Sequence, residues 1–156
     1  MANGKVILVA EDEETDVFFL RRALHKAGLH NQLVVARHGQ EAIEYLSGEP
    51  PFADRARHPL PALVLLDLKM PVKSGFDVLA WRSTRPELKC LPMVVLTSSG
   101  LQADREKALR LGASEYRIKP RAVEDLVKLV GELNSRWLET PPASKGEPQY
   151  QNLSTV

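Results

Sequence analysis

Pro61-Ala62-Leu63-Val64-Leu65-Leu66-Asp67-Leu68-Lys69-Met70-Pro71 is an apolar run of strand length that stops on a carboxylate. An unbroken apolar run with a β-branched member is the pattern of a strand buried on both faces, as in a parallel sheet covered by helices. Met70-Pro71 and then Gly75 mark a turn. Phe76-Asp77-Val78-Leu79-Ala80-Trp81 opens an amphipathic helix beyond it. A carboxylate at the end of such a strand sits on the rim of the sheet, where open α/β folds hold their ligands.

The same strand-then-helix unit recurs on either side. Val6-Ile7-Leu8-Val9-Ala10 ends on Glu11-Asp12-Glu13-Glu14, and Thr15 or Asp16 can cap the helix that follows. Val17, Leu20, Leu24 and Ala27 carry its apolar face, and Gly28 stops it. Leu33-Val34-Val35-Ala36 predicts another strand, and 39–46 a short helix with Ala42, Ile43 and Leu46 on one side. Residues 47–60 hold Gly48, Pro50, Pro51 and Pro59 and read as a loop, long for this kind of connection. Downstream, Met93-Val94-Val95-Leu96-Thr97 is a strand and 101–111 a helix ended by Gly112. Glu115-Tyr116-Arg117-Ile118 has the lower apolar content of an edge strand. Residues 122–138 form the strongest helical stripe, through Val123, Leu126, Val127, Val130, Leu133 and Trp137. From Thr140 the composition turns to Pro, Ser, Gly, Gln and Asn, so 140–156 reads as a flexible tail on a domain spanning 1–139.

Five alternating strand–helix pairs predict an α/β fold: a doubly wound, five-stranded parallel sheet with helices on both faces. The right-handed crossover rule puts every strand's C-terminal end on one rim. Glu11, Asp12, Asp67, Thr97 and Lys119 all lie at those ends. Three carboxylates that close cannot all stay ionised without a cation, and a hard divalent ion such as Mg²⁺ suits oxygen ligands. A carboxylate nucleophile, a divalent ion, an ammonium and a hydroxyl are together the equipment of phosphoryl transfer.

Composition narrows the alternatives. The chain has 156 residues, 44% hydrophobic and 26% charged, with a net charge of +1. No basic block stands out, which argues against a nucleic-acid partner. One cysteine, Cys90, excludes a disulfide framework, and its place before a strand predicts a half-buried residue. No stretch approaches membrane-spanning length and no signal-peptide core is visible, so a cytoplasmic location is expected. His25, His30, His38 and His58 show no ligand spacing.

Read in order, residues 6–12, 36–42, 65–71 with Gly75, 94–98 and 116–120 make the chain resemble the receiver domains of two-component response regulators. The resemblance implies a flavodoxin-like strand order of 2-1-3-4-5. It implies that Asp67 accepts a phosphoryl group from a kinase phosphohistidine. Asp12, Asp67 and the backbone carbonyl of Lys69 would ligate Mg²⁺ directly, with Glu11 acting through a metal-bound water. Lys119 and Thr97 would each take a phosphoryl oxygen, and Tyr116 would be the aromatic switch that moves inward with Thr97. A cis Lys119–Pro120 bond is expected to aim the ammonium. The 47–60 loop and the extended end 134–140 resemble single-domain regulators that partner phytochrome-type histidine kinases. Output would then come through protein contact, with homodimerisation through the 101–139 face, and Trp137 is as apt to meet a partner as its own core.

Two other readings stay open. One is a doubly wound phosphatase with an aspartyl nucleophile, although Lys69 stands where such enzymes usually carry a second acid. The other is a receiver-like module that binds partners without phosphorylation. On the receiver reading the chain is expected to be no enzyme, promoting only its own phosphorylation and dephosphorylation.

Overall fold

The computed structural model describes residues 4–139. The expected tail, 140–156, lies outside them. Strand β1 (Ile7–Ala10) is followed by α1 (Glu14–Lys26), β2 (Leu33–Ala36), α2 (Gly39–Ser47), β3 (Leu63–Leu66), α3 (Gly75–Arg82), β4 (Met93–Thr97), α4 (Gln102–Arg110), β5 (Glu115–Ile118) and α5 (Val123–Leu133). The five strands are parallel in the order β2-β1-β3-β4-β5, so β5 is an edge as expected.

Alternation along the central strands divides the interior in two. Leu8, Ala10, Val64, Leu66, Met93 and Val95 face α2, α3 and α4. Ile7, Val9, Leu63, Leu65, Val94 and Leu96 face α1 and α5. Both faces are covered, which is why the strands read as continuous apolar runs. Each fully buried Leu, Ile or Val contributes about 1.5–3 kcal/mol relative to exposure. The helices are not equally anchored: α2 buries five residues and α5 four, but α4 buries Ala108 alone.

Several local readings are corrected. Helix α1 begins at Glu14 with Glu13 at its N-cap, so neither Thr15 nor Asp16 caps it. The last helix is α-helical only to Leu133 and closes in a π-helical turn, Asn134–Leu138. Trp137 packs inward against the α1–α5 core, and its Nε1 donates to Glu115 Oε2 at 2.8 Å. Cys90 is exposed rather than half-buried.

The 47–60 loop is an ordered plug. Arg55 reaches back to the C-terminal end of α2, donating from Nη1 to Tyr45 O (2.9 Å) and His58 O (3.1 Å) and from Nη2 to Leu46 O (2.9 Å). That end of the helix has no basic residue of its own, so Arg55 answers both its free carbonyls and its dipole. Tyr45 Oη donates to Pro59 O at 2.8 Å, and the rings of Tyr45, Phe52 and His58 pack on one another. A second arginine, Arg82, is buried at the end of α3. It donates to the carbonyls of Leu88, Lys89, Leu91 and Gly112, tying the approach to β4 to the turn before β5. Burial lowers its pKa from the usual arginine value.

Candidate functional site

Each site residue is carried by the end of a strand. Ladder-like hydrogen bonds continue past β1 and β3: Glu11 N donates to Ala36 O at 2.9 Å and Asp67 N to Ala10 O at 3.1 Å. The two acids are therefore placed by backbone, on adjacent strands. On the other side Lys119 N donates to Thr97 O at 2.8 Å, which brings the ammonium and the hydroxyl to the same rim. The turn after Asp67 is set by Gly75, whose N donates to Leu68 O at 2.9 Å. A Cβ at Gly75 would stand 2.3 Å from Asp67 O, so only glycine permits this close approach. Val72 lies in the same turn with φ 67, a left-handed conformation that is unfavourable for a β-branched residue.

Glu11, Asp12 and Asp67 each offer a carboxylate oxygen, and these oxygens lie within 4.8 Å of one another. Glu11 and Asp67 are buried. The all-oxygen donor set fits a hard divalent cation. Asp67 Oδ1 accepts from Leu68 N at 2.8 Å. Lys119 Nζ donates to Glu11 Oε1 at 2.6 Å and to Asp16 Oδ2 at 2.6 Å, and lies 3.4 Å from Asp67 Oδ2. Burial pushes the Glu11 carboxyl up to about 7; the Lys119 hydrogen bond opposes this and the Asp67 charge adds to it. For Lys119 burial works to lower the pKa, but hydrogen bonds to Asp16 and Glu11 and the charge on Asp67 outweigh it and hold the ammonium above the ordinary lysine value.

Asp12, Glu13, Asp16, Asp67, Lys69, Thr97, Ser98, Ser99 and Lys119 line a hollow of about 280 Å³ over this cluster. Thr97 is buried, and its hydroxyl oxygen faces Ser99 N at 3.4 Å. Tyr116 is buried too, and its Oη donates to Ser99 O at 2.8 Å. Ser99 Oγ donates to Asp104 Oδ2 at 2.6 Å in the first turn of α4.

The structure thus gathers Glu11, Asp12, Asp67, Thr97 and Lys119 at one place and sets Lys69 on its wall with an exposed side chain. Two points differ from expectation. The Lys119–Pro120 bond is trans; the cis bond among the described residues is Pro50–Pro51. The ammonium is aimed instead by the carboxylates around it. Asp16, read as a helix cap, is one of them. It lies in the first turn of α1, and from there its carboxylate reaches Lys119 at the strand-end rim. His38 also escaped the sequence reading; its Nδ1 accepts from Glu41 N and caps α2.

The model of the response regulator receiver domain matches residues 7–131. The chain belongs to this family. The receiver is 36% identical over 136 residues to the response regulator Rcp1 of Synechocystis, covering 87% of this chain and 90% of Rcp1. The crystal structure of the phosphorylated cyanobacterial phytochrome response regulator RcpA superposes with a TM-score of 0.80 at 33% identity, covering 88% of this chain and 96% of RcpA. The Mn²⁺-bound form of Rcp1 superposes at 0.76 and 36% identity, covering 88% of this chain and 96% of that one. A divalent-metal site at the acidic cluster agrees with that relative. Among the described residues no helix is long and apolar enough to cross a membrane.

Proposed function

We propose that this receiver takes a phosphoryl group from the phosphohistidine of a sensor kinase onto Asp67 and signals by a change of shape. The observation that carries the reading is the contact of Lys119 with a carboxylate cluster built from two other strand ends. A carboxylate oxygen of Asp67 forms the new O–P bond as the N–P bond breaks; the electron pair stays on the imidazole nitrogen, which takes a proton. Asp12, Asp67 and the Lys69 carbonyl are the proposed direct ligands of Mg²⁺, with Glu11 acting through water. When bound, the ion supplies positive charge against the phosphoryl oxygens. Lys119 neutralises one of those oxygens and the Thr97 hydroxyl donates to another. Tyr116, already inward with its hydroxyl on Ser99 O, holds the loop that Thr97 moves.

The partner we propose is a phytochrome-type histidine kinase, which the likeness to the phytochrome response regulator RcpA supports. The output is protein contact in the cytoplasm, without nucleic acid and without turnover of another substrate. Leu101, Leu109 and Ile118 are exposed on the α4–β5–α5 side and make it the proposed homodimer face. Lys69, with its exposed side chain, provides no second acid for a phosphatase.

Incubation with acetyl phosphate and Mg²⁺, read by intact mass, should add one phosphoryl group to the native protein and none to Asp67→Asn. No addition, or equal addition to both, would falsify the reading.

A further inference from the structure

The Lys119 ammonium has three N–H donors, and three carboxylates surround it. The two short contacts, at 2.6 Å each, are to Glu11 and Asp16; the contact to Asp67 is longer, at 3.4 Å. Asp16 comes from α1, 103 residues away in sequence. An acid in the first turn of a helix has an ordinary explanation in the helix dipole, but Glu14 already supplies that charge. Asp16 does something Glu14 does not: it accepts from the ammonium that phosphoryl capture needs. It lines both the hollow over the cluster and a neighbouring cavity of about 110 Å³, where Glu11, Asp67 and Lys119 meet the apolar side chains of α1 and α5.

We propose that Asp16 is a positioning residue that competes with the phosphoryl group for Lys119 and so weakens phosphoryl capture at Asp67. The proposal rests on the receiver reading. In the resting protein Asp16 holds the ammonium toward α1. A phosphoryl oxygen lies beyond Asp67, and Lys119 swings toward it at the expense of its contact with Asp16, on the α1 side. Asp16 therefore sets part of the balance between the resting and the phosphorylated arrangement, acting only through Lys119.

The test uses the full chain with saturating Mg²⁺ and trifluoroberyllate, a stand-in for the phosphoryl group on an aspartate, titrated by calorimetry. Asp16→Asn removes the charge and keeps the shape. It should bind trifluoroberyllate about fivefold more tightly than the native protein, the scale of a partly exposed ion pair. In a Lys119→Ala background the same substitution should change nothing, because the route runs through the ammonium. If Asp16→Asn does not fold, Asp16→Ser carries the same two expectations. A merely structural Asp16 would lower the thermal midpoint and leave the affinity equal or weaker, and that result overturns the proposal. An equal gain with and without Lys119 overturns it as well. If the native protein takes no trifluoroberyllate, the receiver reading itself falls and takes this inference with it. If the native protein binds and Asp16→Asn binds no better, only the role of Asp16 falls.

Discussion

Replacing Gly75 with alanine sets two physical effects against each other. Gly75 is the first residue of α3, and helix propensity alone favours alanine over glycine by up to about 1 kcal/mol. The added Cβ, however, would lie 2.3 Å from the carbonyl oxygen of Asp67 and 3.0 Å from both the Asp67 carbonyl carbon and Leu68 Cα. All three are backbone atoms, so no side chain can rotate away. Reaching an ordinary contact of 3.4 Å requires the two segments to part by about 1 Å. Overpacking of this kind costs about 1–3 kcal/mol. A displacement of about 1 Å at a reacting group costs a rate factor on the order of 100. The atom displaced belongs to Asp67, the proposed phosphoryl acceptor. Gly75→Ala is therefore expected to lose about 1–3 kcal/mol in urea unfolding and to be labelled by acetyl phosphate far more slowly than the native protein. A variant as stable as the native protein and labelled at the same rate would show that the turn yields without moving Asp67.

Val72→Asn should stabilise the protein by about 1 kcal/mol, because asparagine tolerates the left-handed conformation and the Val72 side chain is 74% exposed; a thermal midpoint no higher than native would refute this. Arg55→Ala should cost about 1–3 kcal/mol and open the 47–60 loop to protease, since three carbonyls lose the guanidinium as a donor; unchanged cleavage kinetics would count against the capping account. Glu115 is held below the ordinary carboxylate range: burial opposes this, but donors on Arg136, Trp137 and Arg117 outweigh it. The stability it contributes is present above the ordinary glutamate pKa and is lost as pH falls through its own, so Trp137 fluorescence should shift on acidification in the native protein and not in Glu115→Gln.

The strands were legible because the sheet is covered on both faces, and a strand such as Leu63–Leu66 then carries no polar residue to blur it. The site was legible for a related reason: in a parallel sheet, position at a strand's end already specifies which rim a side chain occupies. Arg55, Arg82 and Asp16 were not. Each is a charged residue whose partners lie in another element, and no periodicity marks such a contact. Arg55 and Arg82 collect backbone carbonyls, which every segment offers equally, so composition gives no hint of which arginine turns inward. For Asp16 the competing principle was helix capping, which accounts for an aspartate at that place without reference to Lys119. Trp137 was undecided for want of a visible partner, and Glu115 on β5 proves to be that partner.

A shift between two arrangements needs an element that can occupy two positions, and α4 fits that need best, since it buries only Ala108. Ser99 joins it to the site by two separate limbs. Its backbone carbonyl accepts the Tyr116 hydroxyl, and its side-chain hydroxyl donates to Asp104 on α4. Ser99→Ala cuts the second limb, together with the hydrogen bond its hydroxyl oxygen accepts from Leu101 N at 3.3 Å, and leaves the carbonyl in place. The variant should still take a phosphoryl group on Asp67 and keep Tyr116 buried. The amide signals of α4 should then respond weakly to phosphorylation, while those beside Tyr116 respond as in the native protein. If α4 responds in full without the hydroxyl, the coupling runs through Tyr116 and the packing of β5, and the Ser99–Asp104 hydrogen bond serves only to start the helix.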